Sequence, residues 1–349
     1  MKHVTKTLAA AAAALGLSAA AAQAQANLTY ETTTPGAATH ATAMHMAEVS
    51  SRAGIANLQV LEGQTLTNSL MNIAEGRSDI SNMPLILVFL LDKGRGPYSK
   101  TGAEKGAELA SNVRALYPFN SGAYGLIALE SEGIDSWEKL RGKNVWNGPP
   151  RGAALVNARQ AAQMAAGLKD GEDYTGHQTN WGQLPSVLVD GSMDAFVLPL
   201  TFPSQRVTTM QAAGDVVIVS TPKDVFESDA YRKIFNAPGN VPVIVHWDEM
   251  GYGDGVRMVS EDGNFRGIGT AFADIVNKDM PFDLAKALVA EHIKTLDEMK
   301  NRTAFMKNTN LGILDAETTG FCGPLSLKYH PGAIAAWEEA GYTVPECAK

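Results

Sequence analysis

The chain has 349 residues, and its 29 Lys and Arg against 37 Asp and Glu give a formal net charge of −8. This acidic balance argues against nucleic acid and anionic lipid surfaces as partners. The length exceeds that of a usual single domain, so we expect two lobes.

The N-terminal residues predict an exported protein. Lys2 and Lys6 precede a run of Ala, Leu and Gly, broken only by Ser18, which closes on small residues at 22–26. A basic start, a short apolar run and a small-residue cleavage site are typical of a secretory signal peptide. We predict that residues 1–25 form this peptide and that the protein is periplasmic. The alternative is an Ala-rich cytosolic helix.

Short β-rich runs then alternate with amphipathic stretches, a pattern that predicts an α/β protein with parallel sheets. In the first half, strands are predicted at 28–34, 56–63 and 123–130, and helices at 36–54, 65–80 and 151–168. In the second half, strands are predicted at 215–220 and in the last part of the stretch 185–200. Helices are predicted at about 265–278, 281–308 and 331–341. The apolar run at 83–91 is typical of a buried strand or a short core helix.

The chain contains two cysteines, Cys322 and Cys347. In an exported protein an even pair predicts one disulfide. A thiolate nucleophile or a metal pair is the alternative, although neither cysteine has a CxxC partner or a basic cluster beside it. The pair brackets the stretch KYHPGAIAAWEEAGY at 328–342, in which Pro331 suits the first turn of a helix. We expect this helix to dock on the first lobe, rather than to present a catalytic or metal-binding His330.

Six segments, in order along the chain, carry a resemblance to a known family. They are TYETTTPGAATHATAMHMAEV, NSLMNIAEGRSDI, VRALYPFNSGAYGLIAL, GIDSWEKLRGKNVWNGPPRGAA, LVDGSMDAFVLPLTFP and KYHPGAIAAWEEAGY. Together they resemble the periplasmic solute-binding proteins of TRAP transporters, specifically the TAXI subgroup. The resemblance implies a two-lobed, type II-like binding-protein fold with the ligand in the interlobe cleft. It also implies a small organic anion as ligand and TRAP membrane permease subunits as partners.

The expected organisation follows from this resemblance. Residues 26–122 and 243–349 are expected in the first lobe and residues 123–242 in the second, joined by crossing strands. We expect a monomer that needs no cofactor. The sequence departs from the family pattern at 32–36 (TTTPG) and at 151–153 (RGA), both ligand-facing positions. The identity of the ligand is therefore not carried over.

Candidate ligand contacts come from both lobes. Arg151 stands at the start of a predicted helix, where backbone amides attract anions and its planar fork matches a carboxylate. The alternative is an exposed Arg at a helix start. Thr hydroxyls at 32–34 are expected to receive the ligand from the other lobe, unless Thr34 only caps the following helix. The full set is Thr33, Thr34, His40, Asn68, Arg151, Gly152, Ala153, Trp181, Thr201 and Phe202.

Other functional classes were weighed against this interpretation. A secreted α/β hydrolase-like enzyme is one alternative, but the sequence contains no HExxH, GxGxxG or P-loop motif and no evident nucleophile–base pattern. A binding protein that serves an ABC transporter or a sensor is another. The stretch HATAMHM at 40–46 suggests a metal-storage role. However, His45 points about 100° away from Met44 on a helix, which disfavours a shared site.

Overall fold

The computed structural model of the protein describes residues 25–150 and 152–349, in which twelve strands form one connected sheet. The strands are β1 (Ala26–Glu31), β2 (Ala56–Leu61), β3 (Ile80–Pro84), β4 (Val113–Leu129), β5 (Asn144–Trp146), β6 (Thr175–His177), β7 (Ala195–Leu200), β8 (Val216–Val219), β9 (Asn240–His246), β10 (Val256–Val259), β11 (Asn264–Asn277) and β12 (Lys328–Tyr329). Most of the predicted signal peptide (1–24) and the candidate Arg151 lie outside the described residues.

Helices cover the faces of this sheet. They are α1 (Ala38–Arg52), α2 (Leu66–Ala74), α3 (Leu85–Asp92), α4 (Ala103–Ala110), α5 (Ala153–Ala166), α6 (Leu184–Val187), α7 (Gln205–Met210), α8 (Lys223–Phe226), α9 (Asp229–Phe235), α10 (Phe282–Lys294), α11 (Leu296–Lys300), α12 (Ala316–Thr319) and α13 (Pro331–Glu339). Single 3-10 turns lie at Gly96–Tyr98, Glu130–Glu132, Trp137–Leu140, Trp181–Gln183, Trp247–Glu249, Ala304–Asn308 and Glu346–Ala348.

The first lobe is built on three parallel strands. β1 pairs in parallel with β2 and β3, and β3 pairs antiparallel with β11. The apolar run at 83–91 forms the end of β3 and the short helix α3, one of its two predicted states. Leu70 and Ile73, on the apolar face of α2, are fully buried in the same core as Tyr30 and Trp337. The apolar face of α2, which repeats every 3.6 residues, therefore packs on the sheet.

The second lobe repeats the α/β arrangement. β5 lies between β6 and β7 and is parallel to both, while β8 pairs with β4 and with β10. One face of this sheet buries Trp146, Phe196 and Phe265. The other face buries Trp137 and packs against the alanines of α5. Two apolar layers on one sheet are the usual basis of an α/β lobe.

Long strands cross between the lobes, as predicted. β4 pairs with β11 throughout its first half and with β7 and β8 in its second half. The register between β4 and β11 shifts between Gly269 and Ala271, where the chain passes from one core to the other. Gly122 lies at this point with a φ of +106°, and a Cβ there would meet Leu200 O at 2.5 Å. The predicted α/β fold of two lobes joined by crossing strands is confirmed.

One predicted helix is wrong. The segment at 265–278 is the strand β11, and its residues from Phe265 to Val276 are all buried. A strand buried on both faces shows no two-residue alternation of apolar and polar side chains, so periodicity cannot distinguish it from a buried helix. Gly267 and Gly269 favour the strand, because a Cβ at either position would lie about 2.5 Å from a neighbouring strand, against Tyr124 O or Val243 Cγ2.

The segment after β9 also differs from the expected division of lobes. The expected first lobe included everything from residue 243 onward. In the structure, Val245, Met250 and Val256 share a core with Trp146. The reason is that β10 pairs in parallel with β8, which carries this segment into the second lobe.

The C-terminal segment docks on the first lobe as expected. His330 is the N-cap of α13: its Nδ1 accepts from the Gly332 amide and its Nε2 bonds to Met280 O at 3.0 Å. Trp337 is buried and donates from Nε1 to Leu116 O. The predicted disulfide between Cys322 and Cys347 is confirmed, with Cα atoms 5.5 Å apart. His330 is thus a structural residue of the docked helix.

Candidate functional site

The carboxyl ends of the parallel strands in the two lobes face the same region. In the first lobe β3 ends at Pro84, which pairs with Phe272 next to the crossing point. In the second lobe β7 ends at Leu200, which pairs with Ala123 just past the crossing point. Ligands of α/β proteins bind outside the carboxyl ends of strands. This geometry defines an interlobe cleft beside the crossing strands.

The first-lobe wall of this cleft is the loop after β1 and the start of α1. Thr33 is partly exposed and its hydroxyl bonds to that of Thr39, while Thr34 is fully on the surface. The N-cap residue of α1 is Ala37, so the alternative in which Thr34 caps this helix is wrong. A methyl side chain cannot accept a hydrogen bond, and Ala37 therefore leaves the first-turn amides of α1 uncapped.

Two further candidates lie on the rim of the first lobe. His40 Nε2 is 2.7 Å from Glu62 Oε1, in a pair that joins α1 to the loop after β2. Asn68 is exposed in the first turn of α2, which follows the carboxyl end of β2. Both side chains therefore lie at the cleft edge of this lobe, but neither belongs to its core.

The second-lobe wall contains the start of α5 and the end of β7. Gly152 is the N-cap of α5 with a φ of +103°, and Ala153 is the first helical residue. Gly152 has no side chain that could cap the amides of this helix. Thr201 follows β7 and is partly exposed. Phe202 instead packs into the second core, with its ring centroid 4.7 Å from that of Phe265.

A residue that the sequence analysis missed lies beside Trp181. The guanidinium carbon of Arg206 is 4.7 Å from the Trp181 ring centroid, and Arg206 Nη1 donates to Pro199 O. Trp181 is in turn packed against Trp146, with ring centroids 5.3 Å apart. The capping box of Asn180 fixes the turn that carries Trp181. Two tryptophans and a strand carbonyl thus hold this guanidinium at the carboxyl edge of β7.

The electrostatic setting of Arg206 is unusual. Within the described residues it forms no ion pair with a carboxylate, and residues 1–24 and 151 include no Asp or Glu. Although part of the side chain is exposed, burial lowers its pKa to about 10. The group therefore stays charged at neutral pH while most of its hydration is lost. A desolvated charge without a partner is costly, and a bound anion would remove that cost.

A sequence signal for Arg206 existed. Arg206 lies in the first turn of α7, whose N-cap Ser204 accepts from the Arg206 amide. A cation in the first turn opposes the helix dipole. The same mismatch is the signal at Arg151. The helix α7 has only six residues, too few for a periodic pattern to predict it.

The two histidines of the stretch at 40–46 have separate partners. His40 pairs with Glu62, whereas the buried His45 bonds from Nε2 to Thr295 Oγ1 at 3.0 Å. Among the described residues, no group of three or more His, Cys, Asp or Glu side chains is placed to hold a metal ion. Across the same part of the chain, no helix has both the length and the apolar character that a membrane span requires.

A surface depression of about 570 Å³ lies at the opposite end of the first lobe. Its walls include Leu28 and Asp79, near the amino ends of β1 and β3, and Asn277, at the far end of β11. It is therefore remote from the carboxyl edges. Its charged residues Glu75 and Lys105 already pair with Arg77 and Glu108. We place the candidate site in the cleft because hydrogen-bond donors lie at the carboxyl edges of the strands in both lobes.

Fold and candidate site together describe a two-lobed α/β protein with hydrogen-bond donors on both walls of the candidate cleft. The sequence model of the NMT1-like family matches residues 32–341, and the chain belongs to this family. No curated protein matches the chain.

Solved structures resemble the chain at low identity. A protein from Bordetella bronchiseptica RB50 aligns with a TM-score of 0.50 at 12% identity, over 91% of this chain and 98% of that chain. A TRAP periplasmic solute-binding protein from Desulfovibrio salexigens with bound orotic acid gives 0.44 at 11% identity, over 80% and 79%. The Bordetella pertussis receptor DctP7, which binds pyroglutamic acid, gives 0.42 at 11% identity, over 90% and 92%. The first of these likenesses shows a shared fold and nothing more.

Proposed function

We propose that the protein is the periplasmic solute-binding component of a TRAP-type transporter of the TAXI subgroup. In this role it captures a small organic anion, a carboxylate, between its lobes and delivers it to membrane permease subunits. It acts as a monomer, by binding and without catalytic turnover. Residues 1–25 serve as its export signal. The observation that carries the proposal is the carboxylate-free guanidinium of Arg206 at the carboxyl edge of β7.

The donors around the cleft favour an anion over a cation. The second lobe offers the Arg206 guanidinium and the uncapped start of α5 at Gly152. The first lobe offers the hydroxyls of Thr33 and Thr34 and the uncapped start of α1. A carboxylate accepts hydrogen bonds only, and helix N-termini and Arg forks are its usual partners. Arg151, Thr201, His40, Asn68 and Trp181 complete the proposed set.

Donors on both walls also explain how binding leads to closure. A ligand that contacts only one lobe has equal affinity for the open and closed states and shifts nothing. A carboxylate held by Arg206 and the start of α1 would contact both lobes, and therefore favours the closed state. Small-angle scattering should accordingly give a smaller radius of gyration with ligand than without it. An unchanged radius would point to a rigid site.

The test begins with native mass spectrometry of freshly purified protein, which should detect a bound small carboxylate. Titration calorimetry with that compound then compares variants. Arg206→Ala should weaken binding by about 2–5 kcal/mol, because it leaves a buried carboxylate without its charge partner. Arg206→Lys should recover only part of this loss, since a point charge cannot replace the planar fork.

The matched control is Arg232→Ala, in the same lobe. Arg232 is 70% exposed and bonds to Glu227 O at the surface of α9, so its removal should leave affinity unchanged. Wild-type affinity in Arg206→Ala would remove Arg206 from the site. Hydrolysis of the co-purified compound by the protein would argue for the enzymatic alternative.

A further inference from the structure

A buried hydrogen-bond network lies directly beneath the loop and helix start at residues 32–42, here called the Thr segment. Its centre is Asn82 on β3, which is completely buried. Asn82 Oδ1 accepts from Thr32 Oγ1 at 2.6 Å, and Asn82 Nδ2 lies 3.0 Å from Thr42 Oγ1. One amide side chain therefore contacts both ends of the Thr segment.

The network extends through the segment to the cleft. Thr42 Oγ1 donates to Thr39 O at 2.8 Å, and the Thr39 hydroxyl bonds to that of Thr33. Thr32, Thr39 and Thr42 are all buried, whereas Thr33 is partly exposed at the cleft. Because each link is a side-chain hydrogen bond to the next residue, the position of Thr33 depends on the orientation of Asn82.

The orientation of Asn82 is set in turn by Asp274 on β11. Asn82 Nδ2 donates to Asp274 Oδ1, and Tyr30 OH donates to Asp274 Oδ2. An ionised carboxylate only accepts hydrogen bonds, so it holds the Asn82 amide with its NH₂ group inward. The carbonyl oxygen of Asn82 is then directed to the Thr32 hydroxyl. Asp274 is fully buried, and its role is otherwise unexplained.

We propose that Asn82 and Asp274 are positioning residues that hold the Thr segment in its ligand-receiving conformation. This inference rests on the proposed function, since it takes the Thr segment as the first-lobe part of the ligand site. Protonation of Asp274 removes the negative charge to which the Asn82 NH₂ group donates, and so weakens the hydrogen bond that fixes the orientation of Asn82. The Thr segment is therefore held firmly when Asp274 is ionised and loosely when it is protonated.

The charge state of Asp274 has identifiable determinants. Desolvation raises its pKa to about 6, and hydrogen bonds from Tyr117, Tyr30 and Asn82 oppose that rise. Tyr117 on β4 stacks on His292 of α10, and His45 of α1 interacts electrostatically with His292. Burial holds the pKa of both histidines below the usual value. Two further helices, α2 and α3, pack on the sheet that contains Asp274. The helix α2 has no titratable side chain, and Asp92 of α3 pairs with Lys93.

Hydrogen–deuterium exchange on the full-length, ligand-free protein tests the inference without a ligand. Protection in peptides covering residues 32–42 should fall about tenfold in Asn82→Ala and in Asp274→Asn, while the peptide of α13 stays unchanged. Tyr98→Phe is the matched control. It removes another buried hydroxyl of the same core, which donates to Thr67 O, and leaves every partner of Asn82 in place, so protection of 32–42 should be that of the wild type.

A pH profile separates positioning from general packing. After correction for intrinsic exchange, wild-type protection of residues 32–42 should fall between pH 7 and pH 5. Asp274→Asn cannot titrate and should show the same low protection at both pH values. Wild-type protection in Asp274→Asn, equal loosening of α13, or a wild-type fall in protection between pH 7 and pH 5 in Asp274→Asn would each overturn the inference. If Asn82→Ala does not fold, Asp274→Asn decides.

The outcome is independent of the ligand experiment. Loss of protection at 32–42 together with wild-type affinity in Arg206→Ala would keep the positioning role and reject Arg206 as anion receptor. Unchanged protection together with weak binding in Arg206→Ala would reject only the positioning role.

Discussion

The guanidinium carbon of Arg206 lies 4.7 Å from the centroid of the Trp181 ring. The two residues belong to different elements, since Trp181 is in a turn after β6 and Arg206 is in α7. Their contact is a cation–π interaction, and it fixes the plane of the guanidinium. The direction in which Arg206 presents its donors to the cleft therefore depends on Trp181.

Trp181→Ala should weaken binding of the co-purified carboxylate because the Arg206 fork is no longer held. A cation–π contact contributes about 0.5–2 kcal/mol, which corresponds to roughly 2- to 30-fold in affinity. Trp181→Phe should lose less, since a smaller ring keeps part of the interaction. Titration calorimetry measures both variants. An equal loss in Trp181→Ala and Trp181→Phe would contradict this role for the ring face.

The sequence predicted most local elements because their patterns are local. The alternation through β1, α1, β2 and α2 follows from side chains a few residues apart, and the observed bounds lie within a few residues of the predicted ones, except at the end of α2. The strand β11 was predicted as a helix because its identity depends on close packing against Tyr124 O and Val243, which no local pattern records.

The candidate site was less predictable for the same reason. Thr33 and Gly152 can be proposed from the sequence because each stands where a β-rich run meets a helix. Arg206 was missed because its significance comes from a ring 25 positions away in the chain and from the absence of a carboxylate partner within the described residues. The network from Asp274 to Thr33 joins residues more than 200 positions apart. Spacing alone cannot predict such contacts.

Loss of the Cys322–Cys347 disulfide should destabilise the docked C-terminal segment. The bond closes a loop with a sequence separation of 25 residues, for which the chain-entropy relation gives about 3.5 kcal/mol. The Cys322→Ser/Cys347→Ser double variant should therefore unfold at lower urea concentration than the oxidised protein. Wild-type protein in reductant is the control and should match the double variant. Equal midpoints for oxidised and double-variant protein would contradict the prediction.

Acid should destabilise the protein through His292. Burial and the neighbouring His45 lower the pKa of His292 from 6.5 to about 3. Between these values the unfolded state binds the extra proton, so stability is lost as pH falls from about 6.5 toward 3. Each such proton corresponds to about 1.4 kcal/mol per pH unit. Urea titrations from pH 7 to pH 4 should show that stability falls less steeply in His292→Phe than in the wild type. This variant keeps an aromatic ring to stack on Tyr117.

Asp274 acts in the opposite direction and provides the control. Its pKa is raised from 3.8 to about 6, so the folded state binds the extra proton between these values. Its contribution to stability is present below pH 3.8 and is lost as pH rises through 6. The free energy of unfolding of Asp274→Asn should therefore fall more steeply than that of the wild type on acidification from pH 6 to pH 4. A shallower fall in the stability of Asp274→Asn would contradict both the direction of the Asp274 pKa shift and its burial as the cause.

Gly122 should be irreplaceable at the crossing between the lobes. Its φ of +106° is costly for any residue with a side chain, and a Cβ would come within 2.5 Å of Leu200 O, a backbone atom of the neighbouring strand that cannot move aside. Gly122→Ala should thus be destabilised both by backbone strain and by the steric clash with Leu200 O.

Gly191→Ala is the matched control, because Gly191 has a φ of +72° but nothing within 4 Å of a Cβ. This variant should be destabilised only by backbone strain, by about 1–2 kcal/mol in its free energy of unfolding. Urea unfolding should place Gly122→Ala at least about 2 kcal/mol below Gly191→Ala, as expected for overpacking against fixed backbone. Equal stability of the two variants would mean that β4 and β7 can separate at the crossing without cost.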